Sequence, residues 1–282
     1  PPSPPNDLRT IQAPAQVLVS FARALAHRPG GIGPTTSVTR NGVTVPAWEP
    51  PADLLRRYTE VLGSEAAMPL AFPAVVVTQL YRDLLGAGGM PVNGMGLVHV
   101  ATRLWTVGRL PIGGPWQVSA WVEGSRHTRS GMEIDLGARC TASGAEWTSL
   151  MVVLARSSAA RGADASGAPL LPEPDEDWEQ GPELDAPSDI GRRYAAVSGD
   201  VNPIHLHALT AKPFGFARAI AHGWWVVPRA LALLDLDETP GDGQVRALIV
   251  SGGNPVVAFP DQAKTEEALA SLDLLVVIDR RG

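Results

Sequence analysis

The first half of the chain shows helical spacing followed by strand-like segments. Apolar residues recur at helical spacing over residues 53–62 and 72–85, and the second segment has Pro73 near its start and Gly86 after its end. Proline at the start and glycine past the end are typical of a helix. Four segments with Gly, Pro and Ser at hairpin spacing follow, at 97–110, 116–126, 130–141 and 146–155. We predict two helices and then an antiparallel meander of about four strands.

The second half repeats this order. A mostly apolar stretch covers residues 214–234, and strand-like segments follow at 245–251, 256–259 and 272–279. The apolar stretch is long enough to span a membrane, but it contains two arginines and a proline, Arg218, Arg229 and Pro228. These residues would cost several kcal/mol in lipid, so we predict a helix at about 219–234 that is buried against a sheet.

The segment between the two halves has the composition of a linker. Residues 157–189 are rich in Ala, Gly, Pro, Asp and Glu. They separate residues 1–156 from residues 190–282, and each part is large enough for a small α+β unit. An apolar helix wrapped by an antiparallel sheet, present twice, would make a double hotdog. Periodicity alone leaves this as one of several α+β folds.

Composition indicates a folded protein and excludes one class of partner. Hydrophobic residues make up 45% of the 282 residues and charged residues 18%, and 23 basic against 29 acidic residues give a net charge of −6. The chain lacks the bulk positive field of nucleic-acid-binding proteins. The single cysteine, Cys140, can form neither an internal disulfide nor a zinc cluster of cysteines. No basic segment followed by an apolar core opens the chain, so we expect a cytoplasmic protein.

The chemically capable residues concentrate in residues 198–205, Ser-Gly-Asp-Val-Asn-Pro-Ile-His. Gly199 permits an unusual backbone angle and Pro203 fixes one, so the backbone is held rigidly here. Asp200 and His205 are separated by a turn, and both side chains could reach one water molecule. Hydration of a double bond conjugated to a thioester needs a base and an acid, and a carboxylate and an imidazole meet these needs.

The same reaction needs hydrogen-bond donors for the enolate oxygen. The backbone N–H of Gly223 is the candidate donor, because the predicted apolar helix begins there and glycine lets a ligand approach the backbone. Unpaired N–H groups and the positive end of the helix dipole favour a developing negative oxygen.

Three segments together resemble the hydratase 2 motif of the MaoC-like dehydratases. They are Gly-Asp-Val-Asn-Pro-Ile-His at 199–205, Lys-Pro-Phe-Gly-Phe at 212–216 and Ala-His-Gly at 221–223. This resemblance implies a hotdog fold and (R)-specific hydration of enoyl thioesters, or dehydration of 3-hydroxyacyl thioesters, in fatty acid metabolism. It implies no metal or redox cofactor, with coenzyme A or an acyl carrier protein forming part of the substrate.

The resemblance also implies roles for individual residues. Asp200 and His205 match the family's catalytic dyad, Gly223 matches its oxyanion glycine, and Asn202 lies in the same site. The chain departs from the family after the His-Gly pair. Many members have methionine there, whereas this chain has Trp224 followed by a second tryptophan. The bulkier group would reshape the acyl pocket.

The first half resembles the longer, two-hotdog members more weakly. Residues 68–73, Met-Pro-Leu-Ala-Phe-Pro, look like the opening of a degenerate first helix, and no Gly-Asp-x-Asn-Pro-x-His run precedes the linker. We therefore expect residues 1–156 to form a degenerate hotdog that supplies the partner sheet and space for the acyl chain. Residues 190–282 would form the catalytic hotdog, with a short or incomplete sheet because residues 250–255 are rich in glycine.

Five further side chains are candidates for substrate binding, each with an ordinary structural alternative. Tyr194 and Ser198 could bond the substrate or the dyad, or could pack and close a turn. His222 could support the site or satisfy buried backbone groups. Lys212 and Arg218 could bind coenzyme A phosphates or an acidic acyl carrier protein, or could be solvated charges.

Two other functions fit the same residues. One is a hotdog acyl-thioesterase, which would release a free thiol, and the other is a non-catalytic acyl-thioester-binding or assembly subunit. The sequence leaves the carrier, the acyl chain length and the direction of the reaction open. Two hotdogs in one chain can pair internally, so a monomer suffices and a homodimer is an alternative.

Overall fold

The computed structural model describes residues 1–27, 31–33, 35–86, 90–92, 94–128, 131–157, 184–232, 247–251 and 274–278. The helices there are α1 (Val17–Ala26), α2 (Leu54–Leu62), α3 (Ala74–Leu85), α4 (Ile190–Ser198), α5 (Pro203–Leu206), α6 (Ala208–Ala211) and α7 (Gly223–Ala232), with a 3₁₀ turn at Lys212–Phe214. The strands are β1 (Arg9–Thr10), β2 (Gly42–Trp48), β3 (Val98–Val107), β4 (Trp116–Thr128), β5 (Gly131–Ala142), β6 (Ala145–Arg156), β7 (Ala247–Ser251) and β8 (Leu274–Ile278). They form one mixed sheet in the order β1-β2-β4-β5-β6-β3-β7-β8.

Helix α3 is the central buried helix of the first half. It is apolar on most of its surface, and all but four of its residues are buried. Pro73 precedes its first residue and Gly86 follows its last, as the sequence predicts. The Tyr81 hydroxyl donates to the backbone oxygen of Leu136 at 3.0 Å and so attaches the helix to β5. Each fully buried aliphatic side chain in this contact stabilises the fold by about 1.5–3 kcal/mol.

Five antiparallel strands, in the order β2-β4-β5-β6-β3, accompany α3 in a hotdog arrangement. Strands β3 to β6 confirm the four predicted strand segments and their hairpin punctuation. The predicted meander is wrong in one pairing, because β3 lies beside β6 and not beside β4. The hairpin signal specifies neighbours along the chain, whereas the place of β3 depends on how the sheet closes around α3.

Three elements near the N-terminus were not predicted, namely strand β2, helix α1 and the two-residue strand β1. Strand β2 precedes both predicted helices, so the expectation that two helices come before all strands is wrong. Pro46 interrupts the alternating pattern of β2, and the pairing with β4 shifts register between Val45 and Trp48. Proline in a strand lowers the strand signal and is tolerated at such irregular positions.

The second half joins the same sheet through β7. This strand pairs antiparallel with β3, from Leu104 opposite Ala247 to Ala101 opposite Val250. Strand β8 then pairs with β7 in parallel, which differs from the antiparallel sheet that we expected for this half. A parallel pair needs a long crossover connection, which a meander would not provide.

Several predictions fall partly outside the described residues. These are the strand at 256–259, the end of the apolar helix beyond α7, and most of the linker at 157–189. The double hotdog and its domain boundaries therefore stay predictions, and the described residues form one mixed α+β sheet. Cys140 is a free, buried cysteine in β5. Throughout the described part, no helix combines the length and the apolar character needed to cross a lipid bilayer.

Candidate active site

A tight turn after α4 positions Asp200. Gly199 ends the helix with a φ of +71°, in the left-handed region that favours glycine. The buried Ser198 hydroxyl donates to the backbone oxygen of Tyr194 at 3.0 Å and accepts from the Asp200 N–H at 3.1 Å. Ser198 was expected either to bond the substrate or the dyad or to close a turn. Its contacts show that it closes the turn.

Asn202 links this turn to the first half of the chain. Its N–H donates to Oδ1 of Asp200 at 3.1 Å, and its own Oδ1 caps α5 by accepting from the Ile204 N–H at 3.5 Å. The same oxygen accepts from the Gly96 N–H at 3.1 Å, and Nδ2 donates to the backbone oxygen of Leu97 at 3.3 Å. Asn202 thus lies in the site as predicted, and it fixes the loop before β3 against the dyad.

His205 lies in α5, and a single contact sets its tautomer. Its Nδ1 is 2.8 Å from the backbone oxygen of Ile220. A carbonyl oxygen only accepts, so Nδ1 carries the hydrogen and Nε2 of the neutral ring carries the lone pair. Burial lowers the pKa of His205, while the Asp200 carboxylate and the Ile220 carbonyl oppose this effect. The ring is therefore a neutral acceptor near pH 7.

His222 stacks on His205, with ring centroids 3.8 Å apart and an interplanar angle of 28°. Its Nε2 lies 3.0 Å from the backbone oxygen of Asp200 and 3.7 Å from Oδ2 of the same residue. Burial and then the neighbouring His205 lower the pKa of His222 to about 3, so this ring is also neutral. His222 therefore contacts both members of the dyad, stacking on the His205 ring and bonding to the Asp200 backbone.

The carboxylate of Asp200 stays ionised. Burial alone would raise its pKa, but a set of neighbours outweighs burial and lowers the pKa below its usual value. In decreasing order of effect, these neighbours are His222, His205, the Asn202 N–H and Arg82. The site therefore pairs an anionic carboxylate with a neutral imidazole.

Three side chains of the site are close enough to hold one small species between them. Potential ligand atoms of Asp200, His205 and His222 lie within 4.8 Å of one another. If Nε2 of His222 donates to the backbone oxygen of Asp200, its Nδ1 carries a lone pair, and this atom is buried without a hydrogen-bond partner among the described residues. Three such ligands are the number that catalytic zinc sites use. The carboxylate and the His205 lone pair are also suited to a polarised water molecule.

Helix α7 begins at Gly223, which places this residue at the helix start as expected for the oxyanion donor, although the helix was predicted to begin at about residue 219. Within the described residues the Gly223 N–H has no hydrogen-bond acceptor. The structure adds a second reason for a glycine here, because a side chain of the first half occupies the space beside its Cα. A Cβ at this position would lie 2.1 Å from Nδ1 of His99. Glycine is required here for the close approach of a protein side chain.

His99 comes from β3 in the first half and was not predicted. Its Nε2 is held by the backbone oxygen of Ala101 at 3.2 Å and by the Thr102 hydroxyl. Burial lowers the pKa of His99 to about 4. A lone histidine in a strand gives no sequence signal for a site, so only the tertiary fold reveals it.

The dyad faces a cavity of about 120 Å³ that both halves line. The second half contributes the two dyad residues, Gly223 and Trp224, whose side chain is 4% exposed. The first half contributes α3, the loop before β3, and the sheet, including Thr78, Tyr81, Leu85, Met95, Leu97, Met151 and Val153. The wall is thus mostly apolar.

Some predicted substrate-binding residues lie elsewhere. Tyr194 is buried behind His222, with ring centroids 5.0 Å apart, and does not line the cavity. Lys212 and Arg218 are exposed and also lie outside the cavity lining. Trp225 points away, because its Nε1 donates to the backbone oxygen of Val61 at 3.3 Å. Of the tryptophan pair, only Trp224 can shape the cavity.

Residues 171–247 match the family model of the MaoC like domain, so this part of the chain is similar to that family. Over 176 residues the chain is 27% identical to 3-hydroxyacyl-thioester dehydratase X of Mycobacterium tuberculosis. The matched region covers 60% of this chain and 60% of the length of that relative.

Solved structures show the same fold. The crystal structure of HtdX from Mycobacterium tuberculosis superposes with a TM-score of 0.59 at 24% identity, covering 73% of this chain and 80% of that one. A MaoC-like dehydratase from Phytophthora capsici gives a TM-score of 0.54 at 17% identity, covering 74% of this chain and 81% of that one.

Proposed function

We propose that this chain adds water to a trans-2-enoyl thioester and removes it from the corresponding (R)-3-hydroxyacyl thioester. The observation that carries the proposal is the pairing of the Asp200 carboxylate with the Nε2 lone pair of His205 at one cavity, beside the open N-terminus of α7. Similarity to a protein named as a 3-hydroxyacyl-thioester dehydratase supports the same class of reaction.

The dyad would act on a single water molecule. Asp200 and His205 would accept hydrogen bonds from this water and remove one of its protons as its oxygen attacks C3 of the enoyl group. The same pair then delivers that proton to C2, so that OH and H add to one face of the double bond. Dehydration is the reverse of these steps.

The Gly223 N–H would stabilise the negative charge that develops on the thioester oxygen. This donor lies at the positive end of α7, and within the described residues it has no other acceptor. Loss of one such donor typically costs about 100- to 1000-fold in rate. The neutral ring of His99 packs beside it and excludes water from this end of the cavity.

The carrier of the acyl group is proposed to be coenzyme A or an acyl carrier protein. Lys212 and Arg218 are exposed, as groups that meet phosphates or an acidic partner would be. Turnover of the same enoyl group on the two carriers, compared at low and high salt, distinguishes these carriers because surface ion pairs weaken with salt.

A spectrophotometric assay tests the reaction directly. The proposal predicts loss of the absorbance of the conjugated thioester when the protein is mixed with a 2-enoyl-CoA, and formation of the (R)-3-hydroxyacyl product on chiral analysis. Asp200→Asn and His205→Ala should each lower kcat/KM by at least about 100-fold. Turnover at the wild-type rate in both variants contradicts the proposal.

Matched controls separate the dyad from general effects. His207 is exposed and lies two residues from His205, so His207→Ala should leave turnover unchanged. Asp185 is an exposed carboxylate before α4, and Asp185→Asn serves as the control for Asp200→Asn. A thiol reagent in the same assay detects free coenzyme A, which a thioesterase releases and a hydratase does not.

A further inference from the structure

One cation of the first half reaches the turn that holds Asp200. Arg82 lies in α3, and its Nη1 donates to the backbone oxygen of Gly199, while Nη2 donates to the backbone oxygen of Ala15 at 3.3 Å. Its side chain lines the same cavity as Asp200. Its contact with Gly199 joins residues that are 117 positions apart in the sequence.

This contact acts on the peptide that carries the dyad. Gly199 has a positive φ, and its carbonyl belongs to the peptide unit that leads directly into Asp200. The charged donor on this oxygen makes a stronger bond than a neutral one would. It fixes the plane of the peptide and, with it, the direction of the Asp200 side chain.

Arg82 also differs electrostatically from the other groups around Asp200. Burial lowers the pKa values of His99, His205 and His222, so these rings are neutral near pH 7, whereas a guanidinium stays protonated in proteins. The titratable groups that act on Asp200 are Arg82 from α3, His99 from β3, Tyr194 from α4, His205 from α5 and His222 from the start of α7.

The nearby carboxylate of Asp83 helps to keep Arg82 protonated. It belongs to the next residue of α3, and its Oδ2 accepts the Ala15 N–H at 2.8 Å. Burial lowers the pKa of Arg82, but Asp83 and Asp200 both oppose the lowering, so the side chain remains a cation between two anions.

Building on the proposed hydratase function, we infer that Arg82 is a positioning residue that holds the Gly199 peptide and supplies the permanent positive charge that the Asp200 carboxylate faces. The first half therefore takes part in the chemistry of the second half. It does not only provide a wall for the acyl chain.

The pH dependence of turnover tests this inference. Asp200 must be ionised to act, so loss of Arg82 should raise its pKa and move the acidic limb of kcat/KM to higher pH. We expect an upward shift of about one pH unit in Arg82→Gln. Arg82→Lys keeps the positive charge, so the acidic limb of this variant should stay near that of the wild type. Its kcat should fall, because lysine cannot bond to the backbone oxygens of both Gly199 and Ala15.

Arg229 offers a matched control. It lies in α7, and its Nη1 donates to the backbone oxygen of Leu62 at 2.8 Å, so it also joins the two halves through a carbonyl. It does not line the cavity. Arg229→Gln should lower the melting temperature by a similar amount to Arg82→Gln and leave the acidic limb in place.

A titration that does not depend on enzymatic turnover tests the role of Arg82 independently of the proposed reaction. Carbon-13 NMR of aspartate carboxyl groups, with Asp200→Asn used for assignment, gives the titration midpoint of Asp200 directly. The midpoint should rise in Arg82→Gln and stay near the wild-type value in Arg82→Lys.

Each outcome decides between the two claims. An unchanged Asp200 midpoint in Arg82→Gln overturns the role of Arg82. A raised midpoint in Arg82→Lys overturns it as well. If Arg82→Gln does not fold, the result for Arg82→Lys decides alone. Absence of turnover in the wild type with any enoyl thioester contradicts the proposed reaction, and the NMR titration still decides the role of Arg82.

Discussion

At the scale of single residues, the site depends on buried imidazoles that stay neutral. His222 is 2% exposed and stacks on His205, and among the described residues the polar contacts of its ring are all to Asp200. Both His222 and His99 have pKa values well below the ordinary 6.5 of histidine. In the folded protein these rings therefore take up protons only at a pH well below 6.5.

This neutrality predicts a pH-dependent stability. The folded pKa values are depressed, so the unfolded chain binds more protons below pH 6.5, and the free energy of unfolding should fall as the pH decreases from about 6.5 towards about 4. Each histidine contributes up to about 1.4 kcal/mol per pH unit. Urea unfolding at several pH values measures this slope.

The slope should become shallower in His222→Gln. The same substitution at the exposed His207 should leave it unchanged. An identical slope in the wild type and in His222→Gln would show that protonation of other groups governs acid unfolding.

Trp224 predicts chain-length selectivity at the same scale. Its side chain lines the small cavity, whereas Trp225 faces Val61. Trp224→Met should raise kcat/KM for long enoyl thioesters relative to crotonyl thioester, because it removes volume from the wall. Trp225→Met removes the same volume elsewhere and should destabilise the fold without changing that ratio. Equal ratios in both variants would contradict a role of Trp224 in selectivity.

The sequence reveals the dyad because its chemistry is local. Asp200, Asn202 and His205 lie within six consecutive residues, with Gly199 directly before them and Pro203 among them to set the course of the backbone. Arg82 and His99 could not be found in the same way. Their roles arise only when α3 and β3 pack against the turn, and an isolated arginine or histidine has no pattern that predicts such a contact.

At the scale of elements, the approach of α4 to α5 sets the position of His205. Gly191 in α4 lies against this short helix, and a Cβ there would be 1.8 Å from the backbone oxygen of His205. Because the contact is between the backbones of α4 and α5, neither helix can relieve a clash by rotating a side chain.

Gly191→Ala should therefore separate these two helices. We expect a loss of about 1–3 kcal/mol in unfolding free energy, together with a fall in kcat that exceeds any rise in KM. Gly113, with open space around its Cα, provides the control substitution Gly113→Ala. Thermal unfolding and steady-state kinetics measure both effects, and a fully active, stable Gly191→Ala would contradict this packing argument.

The pattern of predicted elements follows the same division between local and tertiary information. Helices α2 and α3 were predictable to within two residues because their apolar spacing and terminal residues are local signals. Strand β2 was missed because Pro46 breaks its alternation, and the neighbour of β3 was wrong because pairing order is a property of the whole sheet.

At the scale of the whole molecule, the two halves share a sheet and a cavity. Strand β3 pairs with β7, Asn202 bonds to the loop before β3, and Arg229 bonds to the end of α2. Contacts of this kind predict one cooperative unit.

Thermal unfolding should therefore show a single transition. Far-ultraviolet circular dichroism reports the secondary structure of both halves, tryptophan fluorescence reports their packing, and the two melting curves should coincide. Asp200→Asn keeps the shape of the side chain and should not split the transition. Two resolved transitions would show that the halves unfold separately.

The pairing of β3 with β7 has a further consequence for synthesis of the chain. The ribosome completes β3 and its neighbour β6 long before residues 247–251 emerge, so the first sheet forms while the four residues of β3 that pair with β7, residues 101–104, still lack that partner. Unpaired strand edges invite association with other nascent chains. Pairing of β7 thus covers an edge that is prone to aggregation, and chaperone dependence should concentrate in the interval before β7 is synthesised.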